Sequence, residues 1–213
     1  MRKTMFPIAH FGITLGTVAV LDHARRSRHK LAQPVVGHSN PTSGKVTNPG
    51  DSAGLNTIDY RLVLVAAMLP DIIDKPIGSF FASTFGSGRL FCHTLLFVLL
   101  IALLGLYLYR RGKLWLLTIS FGCLIHLILD EMWLMPRTFL WPLYGSSFEQ
   151  LDPSSYVWSL DYAAMLINWL LTDPHVLVPE IVGAVIILGL VWQLVRGRNM
   201  RRFVRSGTLG YRG

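Results

Sequence analysis

The fold is decided by residues Leu114 to Trp133, LWLLTISFGCLIHLILDEMW. This stretch is about as long as one membrane-spanning helix, yet it carries His126 and Asp130 inside an apolar run. Side chains four residues apart lie on one face of an α-helix, so the imidazole and the carboxylate point the same way. Because such groups are costly in hydrocarbon unless they meet a partner, a cavity or a metal, this stretch predicts a polar site built from several membrane helices.

The composition of the 213 residues indicates a membrane protein. Hydrophobic residues make up 52% of the chain and charged residues only 15%, and the apolar residues come in long blocks, which is unusual for a water-soluble domain. The formal net charge of +8 comes from basic clusters that flank these blocks, as the positive-inside rule describes. We therefore expect the protein to contact membrane lipid and not nucleic acid.

The apolar blocks predict an all-α fold, a polytopic membrane helix bundle of about five spans. A single membrane-embedded domain then covers residues 1–200, and a basic cytoplasmic tail covers residues 201–213. Within the domain, residues 31–57 are rich in Pro, Gly, Ser, Asn and Thr and predict a flexible loop. The predicted spans are residues 6–21, 60–81, 89–109, 114–133 and 176–195.

Three segments of this bundle are unusual. The first block, Phe6 to Leu21, is either a signal peptide or a retained span, and the basic run after it favours a retained span because it would resist translocation. The second block contains Pro70 and Pro76, so we expect a broken helix, which is tolerated at membrane depth where it faces protein or a wet cavity. Residues Tyr156 to Leu171, with a tryptophan near each end, predict a helix that lies at the membrane interface or covers the site.

The predicted topology brings ionisable residues of four spans to one depth. Placing the basic clusters after spans one, three and five in the cytoplasm puts six such side chains on the extracytoplasmic side of the inner membrane. Scattered core histidines would not be expected to share a depth. Because neutral imidazole and carboxylate are ligands for zinc and similar divalent ions, we expect one or two such ions, with zinc as the first choice. The predicted metal ligands are His10, Asp71, Asp74, His93, His126 and Asp130.

Two other classes of protein also place ionisable residues inside the membrane. A transporter or channel for a cation or proton lines its path with His and Asp, usually near the midplane between repeated halves, and this chain shows no internal repeat. A non-catalytic assembly protein uses polar side chains to bond helix to helix. Both classes remain alternatives to a metal enzyme.

Five short motifs together resemble the YdjM-like family of small, multi-pass, membrane-bound, metal-dependent hydrolases. The order and spacing of the motifs carry the resemblance, which extends from His10 to Leu143. The family often has Pro-Asp-x-Asp where this chain has one residue more, so the ligand there is either Asp71 or Asp74. The motifs are His10 with Gly12 and Gly16, LPDIID at 69–74, RLFCHTL at 89–95, GCLIHLILD at 122–130 and LWPL at 140–143.

The resemblance implies a metal-dependent hydrolase and names no substrate. In such an enzyme the ion activates water and polarises a phosphoryl or carbonyl oxygen, while Asp71 and Asp74 complete the ligand shell or act as general base. Arg89, one helical turn before His93, either holds a phosphate or anchors its span at the interface. A site in the outer leaflet favours a phosphoester or another lipid-like substrate.

Overall fold

The chain is helical, and no strand occurs in residues 6–32, 58–152 and 159–209, which are those that the computed structural model describes. The predicted all-α fold is thereby confirmed. Two short 3₁₀ turns, Phe91–His93 and Met132–Leu134, connect helices. The α-helices are α1 (Pro7–Ala32), α2 (Tyr60–Phe80), α3 (Ala82–Phe85), α4 (Leu95–Tyr109), α5 (Trp115–Leu129), α6 (Pro136–Phe139), α7 (Leu160–Thr172), α8 (Pro174–Arg196) and α9 (Met200–Ser206).

The predicted loop and the predicted interfacial helix both include residues that the structure does not describe. The loop predicted at residues 31–57 is described only at residues 31 and 32, which end α1. The predicted interfacial helix is described from residue 159 onward, where α7 packs against α8. Its placement at a membrane interface stays a prediction.

Close helix packing at glycines holds the bundle together. Helix α1 packs against α8 and α2, and α5 packs against α2 and α4. A Cβ on Gly12 of α1 would overlap the backbone of Gly183 in α8, and a Cβ on Gly122 of α5 would overlap Ala66 in α2. Small residues that let two backbones approach are typical of helix pairs in membranes.

Helix α2 runs unbroken through Pro70 and Pro76, so the predicted break is wrong. A proline lacks the N–H that would bond to the carbonyl four residues earlier, which for Pro70 is the carbonyl of Ala66. There the Cys123 thiol of α5 donates a hydrogen bond at 3.8 Å. A neighbouring helix thus supplies a weak donor for the carbonyl that Pro70 leaves unpaired, which is one way in which membrane helices accommodate an internal proline.

The predicted third span begins later than the sequence suggests. Helix α4 starts at Leu95, with the hydroxyl of Thr94 accepting a hydrogen bond from Phe97 N at 3.1 Å. An irregular segment and the turn Phe91–His93 precede it. Arg89 therefore does not lie one helical turn before His93, and both residues belong to a loop that folds over α2.

Helix α8 is the one helix in the described ranges that is long and apolar enough to cross a membrane. Helices α4 and α5 are apolar but have 15 residues each, about 22 Å, against about 30 Å for a bilayer core. They are shorter than predicted because the loop before His93 takes residues 89–94 and α5 ends at Leu129. The structure thus contains one clear span, and the five-span topology stays a prediction.

The beginning of α2 binds the C-terminal segment. Asp59 caps α2 by accepting a hydrogen bond from Arg61 N at 2.9 Å, and its Oδ2 lies 2.7 Å from Arg61 Nη2. Arg61 Nη1 donates to Val204 O in α9 at 3.0 Å, and Tyr60 N donates to Gly207 O at 2.8 Å. The first part of the predicted basic tail is therefore packed onto the bundle.

Candidate metal centre

Five of the six predicted ligands meet inside the bundle. His10 comes from α1, Asp71 from α2, His93 from the turn before α4, and His126 from α5, which Asp130 follows directly. The three imidazoles are fully buried, and the two carboxylates are nearly so. Atoms of Asp71, His93, His126 and Asp130 lie within 4.8 Å of one another, and His10 Nε2 lies 3.3 Å from Asp130 Oδ1.

The rings of His10 and His126 are oriented by backbone carbonyls. His10 Nδ1 lies 3.0 Å from Phe6 O, and His126 Nδ1 lies 2.8 Å from Ala67 O. Because a carbonyl can only accept, we assign the proton of each neutral ring to Nδ1. Each Nε2 then keeps its lone pair and turns it toward the centre of the cluster.

Asp74 orients His93 and lies outside the converging ligand atoms. Its Oδ2 lies 2.8 Å from His93 Nδ1 and also accepts from the backbone N–H groups of Leu90 and His93, and its Oδ1 accepts from Cys92 N. These four donors occupy both oxygens of the carboxylate. A carboxylate on the far nitrogen of a metal-binding histidine fixes its tautomer, so of the two candidates in the motif Asp71 is the one whose oxygen lies among the candidate ligand atoms.

Asp71 and Asp130 each use one oxygen on a cation. Asp71 Oδ2 lies 2.6 Å from Lys75 Nζ, and Asp130 Oδ2 accepts from Arg89 Nε at 3.0 Å and lies 2.9 Å from its Nη2. The other oxygen of Asp71 is buried and accepts no hydrogen bond from any residue that the structure describes. It lies 3.4 Å from His93 Nε2.

Arg89 was predicted either to hold a phosphate or to anchor its span at the interface, and its side chain is buried and paired with Asp130. Its side chain is 6% exposed, which does not suit an interfacial anchor. Its guanidinium is engaged with Asp130, and Nη1 also lies 3.6 Å from the sulfur of Met135. The contacts therefore make Arg89 the partner of a candidate ligand, and a role in holding phosphate stays a prediction.

The spacing of the ligand atoms fits a divalent ion. His93 Nε2 and His126 Nε2 lie 3.4 Å apart, and Asp71 Oδ1 lies 3.4 and 3.7 Å from them. Ligands about 2.0 to 2.1 Å from a tetrahedral zinc ion are separated by about 3.3 to 3.4 Å. Lone pairs this close repel one another unless a cation or a proton lies between them. The donor set and its spacing could therefore hold a divalent metal ion.

The fixed charges around the cluster also favour a cation. Asp71, Asp74 and Asp130 carry three negative charges, and Lys75 and Arg89 carry two positive charges. With neutral imidazoles, one negative charge is left over in a buried site. A divalent ion would change this excess to a net charge of +1, and a proton on one imidazole would cancel it, so the fixed charges favour a cation without selecting a metal.

Two charged residues near the site were not among the predicted residues. Lys75 stands four residues after Asp71 in LPDIIDK, a spacing that would have predicted their ion pair. Glu180 is the one acidic residue in the apolar block 176–195, and it is 5% exposed, with Oε2 accepting a hydrogen bond from Ala9 N at 3.2 Å. A single acid in such a block was the signal for a functional residue.

These contacts define a class of protein: a helical protein with a buried cluster of three histidines and two aspartates that is suited to a divalent metal. The chain belongs to the YdjM inner membrane protein family, whose family model matches residues 5–200. No curated protein matches the chain, and no solved structure matches it either. The match confirms the resemblance seen in the sequence, and the family's name agrees with the predicted inner-membrane location.

Proposed function

We propose that the protein is a membrane-bound, metal-dependent hydrolase. The observation that carries the proposal is shared by Asp71, His93 and His126. Each of them binds a fixed partner with its far atom and has its near atom 3.4 to 3.7 Å from the near atoms of the other two. Such an outer shell of partners is what orients metal ligands in enzymes.

Within this centre, Asp71, His93 and His126 would hold the ion, since their ligand atoms have the spacing of a tetrahedral site. Three protein ligands and one open position are the usual arrangement of catalytic zinc. When bound, a divalent ion supplies Lewis acidity toward a phosphoryl or carbonyl oxygen and toward water. Asp130 lies beside these ligands as a fourth candidate.

His10 is the residue that we assign to proton transfer. Its Nε2 is buried, has no hydrogen-bond partner among the described residues, and faces Asp130 Oδ1 at 3.3 Å. A proton taken up at Nε2 would be stabilised by the carboxylate, which the Arg89 guanidinium holds in place. A general base with this geometry removes the proton from an attacking water.

The substrate class that we propose is an amphiphile with a phosphoester or similar head group. The loops next to the centre expose aromatic and apolar side chains, and aromatic residues of this kind are enriched where a membrane meets water. A head group held at that boundary is the part of the substrate on which the centre would act. The exposed side chains are Phe81, Phe91, Trp133, Leu143 and Tyr144.

The basic residues of α1 favour one orientation of the centre in the membrane. Arg25 and Arg26 follow His10 in α1 by 15 and 16 residues, about 22 to 24 Å along the helix. Basic residues are retained on the cytoplasmic side, so the centre would face the extracytoplasmic side. Helices α1 and α2, with 26 and 21 residues, have the length of a span but not the apolar composition of α8, so the multi-pass part of the proposal rests on their length.

The test combines metal analysis with hydrolysis of lipid phosphoesters by the purified full-length protein. We expect one or two equivalents of a divalent ion, with activity that a chelator abolishes and that His126→Ala lacks. The control is His175→Ala, an exposed histidine at the start of α8, which should keep both metal and activity. Activity that is unchanged by both the chelator and His126→Ala would disprove a metal hydrolase, whereas the absence of stoichiometric metal after gentle purification would favour the assembly protein.

A further inference from the structure

Glu180 is a buried acid that neither the ligand set nor the proposed chemistry uses. It lies on α8, a helix that contributes no ligand, and its Oε2 accepts a hydrogen bond from Ala9 N in α1 at 3.2 Å. Its Oε1 is buried and has no hydrogen-bond partner among the described residues. A carboxylate in the apolar part of a membrane protein is costly, which suggests that it serves a purpose.

The carboxylate binds the first turn of α1. The first N–H groups of a helix have no partner within the helix, and in apolar surroundings they need an acceptor from elsewhere. Glu180 accepts from Ala9 and also faces the N–H groups of Phe6 and Ile8. A negative charge at this end of the helix is favoured by the helix dipole as well.

The same turn holds the ring of His10. Phe6 O is the acceptor for His10 Nδ1 at 3.0 Å, so the position of this carbonyl decides which ring nitrogen carries the proton. Gly183 lies one turn beyond Glu180 on α8 and packs closely against α1 near Gly12. A Cβ on either glycine would overlap the backbone of the other helix. This contact fixes the separation of α1 and α8, so that a side chain of the length of glutamate reaches the turn.

We propose that Glu180 is a positioning residue for His10. By binding the first turn of α1, it holds the Phe6 carbonyl where it keeps the His10 proton on Nδ1 and leaves Nε2 open toward Asp130. The use of His10 in catalysis rests on the proposed function, but its orientation is a property of the protein alone. Through this contact, the membrane-crossing helix α8 becomes part of the site.

The experiment is nitrogen NMR of the histidine rings in full-length, ¹⁵N-histidine-labelled protein from which metal has been removed with a chelator. We expect a slowly exchanging Nδ1–H signal for His10, identified by its loss in His10→Gln. Glu180→Leu should lose this signal, and Glu180→Gln, which keeps an oxygen of the same reach for Ala9 N, should retain it. Asp161→Asn, which changes an exposed acid on α7, should have no effect.

The Nδ1–H signal of His126, bonded to Ala67 O, reports the fold in the same spectra. The proposal is overturned if Glu180→Leu keeps the His10 signal, or if the His10 and His126 signals vanish together in a protein that still folds. If Glu180→Leu does not fold, Glu180→Asp replaces it in the test. Aspartate keeps the charge but is one methylene too short to reach Ala9 N, so the same loss of the His10 signal is expected. If Glu180→Gln also loses the His10 signal while the His126 signal is unchanged, the result still supports a positioning role. It would show in addition that this role requires the negative charge of Glu180. Since no metal is present, the result is independent of whether the protein is a metal hydrolase.

Discussion

His93 Nε2 lies 3.4 Å from His126 Nε2, and the far nitrogen of each ring already binds an acceptor. Two imidazole lone pairs at this distance are stable when a cation or a shared proton lies between them. The acceptors on the far side, Asp74 and the carbonyl of Ala67, prevent either ring from turning its N–H inward. The pair is therefore built to bind a positive charge.

The first prediction separates Asp71 from Asp74. Asp71→Asn replaces a charged candidate ligand by a neutral amide, a poor ligand for zinc, and should abolish stoichiometric zinc binding. Asp74→Asn should only weaken binding, by about 10- to 100-fold, because it disturbs the orientation of His93. Zinc titration against a chromophoric chelator measures both. Equal loss in the two variants would mean that Asp74 binds the ion directly.

The second prediction concerns the ion pair between Arg89 and Asp130. Both side chains are buried, and removing one partner of a buried pair leaves an uncompensated charge that costs about 3 to 5 kcal/mol. Arg89→Ala should therefore lower the stability of the metal-free protein by about that amount in a thermal unfolding experiment in detergent. Arg137→Ala, at an exposed position of α6, should change it by less than about 0.5 kcal/mol. Similar small effects of both variants would contradict a structural role for the pair.

That the candidate ligands lie close together could be predicted from their spacing along the helices and from the predicted membrane topology. His126 and Asp130 share a face by their separation of four residues, and the basic clusters place the other ligands at the same end. The choice between Asp71 and Asp74 could not be predicted, since it depends on which carboxylate faces the backbone of the turn before α4. That turn is packed against α2 by contacts distant in sequence.

The continuity of α2 and the part played by Glu180 also depend on distant contacts. Pro70 predicts a break, and only the packing of α5 reveals that Cys123 supplies the missing donor. Glu180 and Ala9 are 171 residues apart in the chain, so no local pattern could pair them. Tertiary contacts of this kind override local preference, which is why the site's ligands were predictable and most of their supports were not.

The third prediction tests the glycine contact between α2 and α5. A Cβ at Gly122 would overlap Ala66, so Gly122→Ala should lower stability by about 1 to 3 kcal/mol through overpacking. Gly189→Ala is the matched control in α8, where a Cβ would meet nothing within 4 Å. It should be neutral or raise stability by up to about 1 kcal/mol, because alanine is the better helix former. Thermal unfolding of both variants in detergent decides, and a neutral Gly122→Ala would mean that the two helices are packed less closely.

The last prediction concerns pH and the segment bound to the start of α2. The hydrogen bond from the Arg61 side chain lowers the pKa of Asp59. A carboxylate whose pKa is lower in the folded state stabilises the fold above its unfolded pKa, about 3.9, and this contribution disappears as the pH falls through the folded value. Asp59 also orients Arg61, which donates to Val204 O. At neutral pH, Asp59→Asn should therefore speed hydrogen exchange in α9 relative to the unchanged protein. The difference should shrink as the pH falls below about 4 and through the lower folded pKa, because the carboxyl of the unchanged protein then becomes protonated. A difference that stays constant over this whole range below pH 4 would show that the charge of Asp59 does not hold α9 in place.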